Sequence, residues 1–203
     1  MKRNLILPVF FLIMTVFLPV LADDGVLVDY KARYVCGDTF ELSLPEPPAT
    51  SSQVTNAGTI QAEANSDDTL MQVRVRMRNL THAVLKGMGK DSFQLTGYVR
   101  DRSLSYTPEV IIHTDYFSAA NFYTWDQLPP LRMADVLLIF RVNPVLINWE
   151  LLIDLDADTN VSYEMANVSY QPKSGLRPCK ALFQFDRIQN LETKKITYYE
   201  REK

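Results

Sequence analysis

Asp154-Leu-Asp156-Ala-Asp158-Thr-Asn160 sets three carboxylates at alternate positions, with Glu164 close behind. Oxygen ligands so spaced suit calcium, a hard ion that takes roughly six to eight of them. An EF-hand loop has Gly at its sixth position and Glu at its twelfth, and here Thr159 and Met165 stand there. If Trp149, Leu151, Ile153 and Leu155 face a core, the aspartates simply occupy the outer face of a strand and its exit turn. Calcium held by Asp154, Asp156 and Asp158 is the one cofactor the sequence admits, and otherwise none is expected.

Nucleophilic hydrolysis needs a nucleophile, a base and an orienting acid. The histidines are His82 and His113, and His113-Thr114-Asp115 brings an acid near one of them. Residues two apart on a strand share a face without forming the required hydrogen bond, and no Gly-x-Ser-x-Gly elbow occurs. The chain is therefore not expected to be an enzyme. Gly87-Met-Gly-Lys-Asp-Ser92 has the look of a phosphate loop, but Val84 stands where the first glycine belongs, so it reads as a turn.

Two further groups could bind a partner. Tyr116, Phe117, Phe122, Tyr123 and Trp125 lie close together ahead of Pro129-Pro130. Such rings on a loop stack on sugars or grip peptides, and in a crossing segment they fill a core or cover a sheet edge instead. Met71, Val73, Val75 and Met77 alternate with Gln72, Arg74, Arg76 and Arg78. The arginines form either a basic stripe for an acidic ligand or a wet strand face paired with carboxylates on a neighbour. Asn79-Leu-Thr81, Asn160-Val-Ser162 and Asn167-Val-Ser169 fit the glycosylation sequon, which matters only in a eukaryotic host.

The elements that must position these residues begin with an address. Lys2 and Arg3 precede an apolar run from Leu5 to Leu21, and Val20-Leu21-Ala22 supplies short residues before Asp23-Asp24, the pattern of a cleaved signal over residues 1–22. The run is also long enough to serve as a retained anchor. With Lys2 and Arg3 gone, 19 basic residues face 24 acidic ones, a charge of −5 that disfavours nucleic acid. Secretion or a periplasmic location makes Cys36 and Cys179 a candidate disulfide, with two free thiols as the alternative. A bridge closing so long a loop contributes at most about 4 to 5 kcal/mol in the chain-entropy account.

After the signal, 23–44 reads as an N-terminal strand or arm, with Val26 to Val35 as its strand. Residues 45–68, opened by Pro45, Pro47 and Pro48, read as a linker or loop. Strands are predicted over Met71–Arg78, Ser92–Arg100, Ser105–His113, Val136–Val142, Asn148–Leu155 and Val161–Tyr170, with Asp101-Arg102-Ser103 as a tight connection. Only the tail from Lys180 hints at a helical period, and 172–203 reads as a C-terminal extension. Short strands without intervening helices make 69–171 an antiparallel β-sandwich in an all-β chain.

Val73-Arg-Val-Arg-Met77 followed by Asn79-Leu80-Thr81, the strand from Phe93 to Tyr98, Leu128-Pro129 before a strand, and Val136 to Val142 followed by Pro144 form an ordered set over residues 69–156. In this order the chain resembles a family of secreted bacterial immunoglobulin-like domains of largely unassigned function, often found on lipoproteins and extracellular antigens. The chain departs from it in lacking a lipobox cysteine and in having Asp101-Arg102 where a glycine turn is typical. The resemblance implies no catalytic residues. The expected activity is binding of a protein or glycan partner at the envelope or outside the cell. The alternative is an assembly subunit that pairs through an exposed strand such as Met71–Arg78.

Overall fold

The period-two alternation of residues 69–79 is the axis of the fold. Met71, Val73, Val75 and Met77 are buried, Gln72, Arg74 and Arg76 are half-buried, and Arg78 is exposed. A computed structural model describes residues 26–29, 34–36, 39–82, 85–86, 89–100, 102–114, 127–128, 130–155, 163–165, 168–170 and 179–199. With strands numbered in chain order, one sheet runs β1 (Val26–Asp29), β17 (Cys179–Gln184), β14 (Ile147–Leu155), β9 (Phe93–Val99) and β10 (Arg102–Tyr106). The second runs β11 (Val110–Thr114), β13 (Met133–Val142) and β7 (Thr69–Asn79). Beyond β7 it divides into β3 (Phe40–Ser43) with β2 (Tyr34–Cys36), and β4 (Ala49–Ser51) with β18 (Arg187–Asn190) and β19 (Ile196–Tyr198). Three two-stranded pairs complete the set: β5 (Gln53–Asn56) with β6 (Thr59–Glu63), β8 (Leu85–Lys86) with β12 (Gln127–Leu128), and β15 (Tyr163–Met165) with β16 (Val168–Tyr170).

β3 and β4 act as one kinked strand on β7. Ser43 lies opposite Arg76 and Ala49 opposite Gln72, so six steps along the kinked strand answer four along β7. The surplus is looped out at Pro45, Pro47 and Pro48, which have no N–H to give to a ladder. Counting that pair as strand A, the second sheet reads A-B-E-D through β7, β13 and β11, and the first reads G-F-C-C′ through β17, β14, β9 and β10. This is the strand order of an immunoglobulin-like sandwich with C′ added to the G-F-C sheet. β1 adds to it by pairing in parallel with β17.

The all-β sandwich is as expected, but its boundaries are not. Residues 45–68, read as a linker, carry β4, β5 and β6, and the composition misled because this stretch covers the outside of the second sheet rather than lying in its middle. Val54 and Ala62 bury Leu70, Ile112 and Ile139 there. The tail is no appendage: Lys180 begins no helix, and β17 is an interior strand paired on both sides. The predicted strand Ser105–His113 is two strands on different sheets, divided at Thr107-Pro108, where the chain crosses over. The tight connection lies one step earlier, between Val99 and Arg102, which pair directly, with Arg100 at φ 51° in the left-handed region that glycine would occupy freely.

Met71–Arg78 is not an exposed strand. It pairs with β13 on one side and with β3 and β4 on the other, so it cannot accept a strand from another chain. Between the sheets, Phe40, Phe93, Phe140 and Phe183 are fully buried with the inward residues of β7. Trp149 is the largest element of this core. Its ring lies beneath Gly97 and 6.1 Å from the ring of Tyr106, and its indole N–H donates to the hydroxyl of Tyr199, which ties the C-terminal tail to the core.

Candidate interaction site at the loop end of the sandwich

Val142, opposite Thr69, passes through Asn143-Pro144-Val145-Leu146 directly into Ile147, so the feet of the two sheets lie together. The opposite end collects Asn79, Phe93, Thr114, Met133 and Leu155. Three long connections leave from that end: residues 80–92, 115–132 and 156–178. The candidates raised by the sequence belong to these connections or stand at the strand ends from which they leave. His82 and Lys90–Ser92 belong to the first connection, the five aromatics to the second, and Asp156 and Asp158 to the third. His113 and Asp154 stand at the strand ends beside them.

Asn79 holds the described part of this end. It is fully buried, its side-chain N–H donates to the Leu128 carbonyl at 3.0 Å, and its side-chain oxygen accepts from the Thr81 N–H at 2.8 Å and hydroxyl at 2.9 Å. Its backbone N–H reaches the Arg132 carbonyl at 2.8 Å, Leu131 donates to the Thr81 carbonyl at 3.1 Å, and Leu80 donates to the Thr39 carbonyl at 2.9 Å. β8 and β12 then pair across the first two connections, with Leu128 buried beneath. Buried amides are costly unless engaged, so this network fixes where the loops start. It also withdraws Asn79 from modification in the folded chain. Leu131, at φ 55° and 48% exposed, sits at the rim.

Tyr116, Phe117, Phe122, Tyr123 and Trp125 lie outside the described residues, as do Asp156, Asp158, Asn160 and Asn167. Asp154 is exposed on β14 opposite Lys180, on the outer face as alternation requires. Among the described residues no group of three His, Cys, Asp or Glu is placed to hold a metal. Cys36 is opposite Phe40 and Cys179 opposite Leu155, register positions of core-facing residues on opposite sheets, and their strands β2 and β17 meet. The side chains of both cysteines lie outside the described residues.

Two arginines of the stripe, Arg74 and Arg76, are engaged by carboxylates. Arg76 makes a bidentate pair with Asp135, directly across the ladder on β13, at 2.8 Å for both contacts, and Asp135 is 1% exposed. Arg74 meets Glu46 at 2.7 Å. Arg141 grips Glu109 at 2.9 and 3.0 Å and donates to the Glu63 carbonyl, which pins the covering hairpin. On the outer face of the first sheet the Tyr98 hydroxyl donates to Glu150 at 2.8 Å and Gln184 donates to the other Glu150 oxygen at 2.7 Å. Burial first, and then the bond and charge of Glu150, push the Tyr98 hydroxyl up to about 12. Sequence reasoning missed this triad, since its members come from three strands. It also missed Asn79 as a hub, for which an Asn-x-Thr ending a strong strand was the only signal.

No protein-family model matches the chain, and no curated protein matches it. Two solved structures are similar. One is an uncharacterized β-sandwich protein from Clostridium difficile 630, at 12% identity over 79% of this chain and 93% of that one, with a TM-score of 0.45. The other is the "putative lipoprotein" YcdA of Bacillus subtilis subsp. subtilis strain 168, at 14% identity and a TM-score of 0.41. The match covers 73% of this chain and 36% of the Bacillus chain. The likeness is one of fold alone.

Proposed function

We propose that the chain is an exported, non-enzymatic binding domain, of the secreted bacterial immunoglobulin-like kind, that engages a protein or glycan partner at the cell envelope or outside the cell. The carrying observation is that three long connections leave from one end of the sandwich, the roots of the first two tied together through Asn79. Binding residues on loops positioned by a rigid scaffold are a common division of labour. The second of these connections contains the aromatic-rich sequence from Tyr116 to Trp125, whose rings are the candidates for stacking on and apolar contact with the partner. A secreted or periplasmic address rests on residues 1–22, and among the described residues no helix is long and apolar enough to cross a membrane.

The same address supports a Cys36–Cys179 bridge, which would join the sheets where β2 meets β17. Non-reducing peptide mapping should recover the linked pair, and two free thiols would remove it. Trp125→Ala tests the binding reading. Capture of an envelope protein or glycan by the native chain should be lost in the variant while its melting temperature stays the same. Lost stability with retained capture would assign the aromatics to packing. Hydrolase activity abolished by His113→Ala would replace the proposal with an enzyme, and a calcium-dependent melting shift lost in Asp154→Asn would add the ion.

A further inference from the structure

Among the described residues the first sheet ends at β10, with no strand on its outer side. Arg102, Ser103, Leu104 and Ser105 are all exposed, and no described residue covers this edge. Natural sheets blunt such edges with lysine, proline, a bulge or a covering loop. β19 is preceded by Lys194-Lys195 and β11 by Pro108-Glu109. β10 has a single charge, Arg102 at its first position, and no lysine or proline; it pairs with β9 without a register shift and carries at its centre Leu104, 50% exposed. We propose that β10 is a self-association edge, at which a second copy of this chain adds its own β10 antiparallel and makes one continuous sheet across the dimer.

The sequence of the strand selects that occupant. Arg102-Ser-Leu-Ser-Tyr106 is nearly symmetric about Leu104, and a two-fold contact requires one patch to complement itself. With the axis at Leu104, the two leucines lie opposite each other, Ser103 faces the second copy's Ser105, and Arg102 faces its Tyr106. Each pairing is favourable in kind: apolar on apolar, hydroxyl on hydroxyl, and a cation against an aromatic ring. The hydroxyl row already exists within one chain, where Thr96 and Ser105 are 2.9 Å apart, and the second Ser103 extends it. Leu104 lies opposite Gly97, on the core side next to Trp149, so the second leucine covers apolar surface that the fold leaves half open. Five-residue edges make a small interface, so the dimer forms and dissociates with concentration.

Sedimentation equilibrium of the full chain over a wide concentration range should show the mass rising from one chain toward two. Leu104→Lys sets like charges across the axis and should weaken association at least tenfold, with an unchanged melting temperature in dilute solution. In Leu104→Cys, oxidised glutathione should take two electrons and two protons from two thiols and leave a peptide linked 104 to 104. Ile196→Cys on β19 should give no such link. A single mass at all concentrations, equal association of Leu104→Lys, or a dimer without the 104–104 peptide would each overturn the proposal.

Discussion

Gly97→Ala is the sharpest perturbation of this fold, because one methyl group meets the largest side chain of the core. A Cβ at position 97 would stand 2.5 Å from Cζ3 of Trp149 and 2.7 Å from Cε3 and Cη2. Carbon atoms in favourable contact are about 3.5 to 4.0 Å apart, so roughly 1 Å of clearance is missing. The ring has little freedom to yield. It is 3% exposed, Tyr106 packs on it, and its N–H is committed to Tyr199. Overpacking of this kind costs about 1 to 3 kcal/mol, and the near-direct approach places this case at about 3. In a chain of this size that lowers the melting temperature by about 6 to 12 °C. Trp149→Phe should open the missing space, so Gly97→Ala in that background should be less harmful, with a coupling of about 1 to 2 kcal/mol. Urea unfolding followed by circular dichroism measures all corners of the cycle, and it avoids fluorescence, which the loss of Trp149 alters. Gly97→Ala within about 0.5 kcal/mol of the native chain, or additive effects in the double variant, would refute the packing argument.

Asp135→Ala should destabilise by about 2 to 4 kcal/mol, because it strips both bonds from the half-buried Arg76, whereas changing Asp135 to Leu together with Arg76 to Met should cost less than Asp135→Ala alone. Urea titration of these variants checks both statements. Tyr98 keeps its proton to a higher pH when folded than its ordinary 10.0, so its contribution is complete below pH 10 and is lost as pH rises through about 12. Allowing for its partial exposure, the loss is about 1 kcal/mol, and the alkaline fall in stability should be shallower in Tyr98→Phe. Ala57 and Gly58 turn the β5–β6 hairpin at φ 49° and 79°, a geometry that suits Asn-Gly. Ala57→Asn should therefore raise stability by about 0.5 to 1 kcal/mol, read as a higher urea midpoint.

Strong local patterns were legible in the sequence. The alternation of Met71–Arg78 announced one buried face, and Trp149, Leu151, Ile153 and Leu155 announced another, because a strand sends successive side chains to opposite sides. Residues 45–68 were not legible. Their strands are short, and only Val54, Ala62 and Leu70 in contact with Ile112 and Ile139 show that they cover a sheet. The Arg76–Asp135 pair was half legible: arginines on the wet face call for carboxylates, but which carboxylate depends on the register between β7 and β13.

The sequence by itself determined that the chain is rich in strands, which residues face inward in the two most regular of them, and that residues 1–22 carry an export pattern. These are properties of neighbours along the chain. Tertiary structure decided which strands are interior and which are edges, so Met71–Arg78 became a central strand while β10 was left open. It also brought the strand ends from which the three long connections leave to one end and placed Gly97 against Trp149. The physical reason is that pairing order and register depend on hydrogen bonds and packing between segments far apart in sequence, for which local periodicity carries no information.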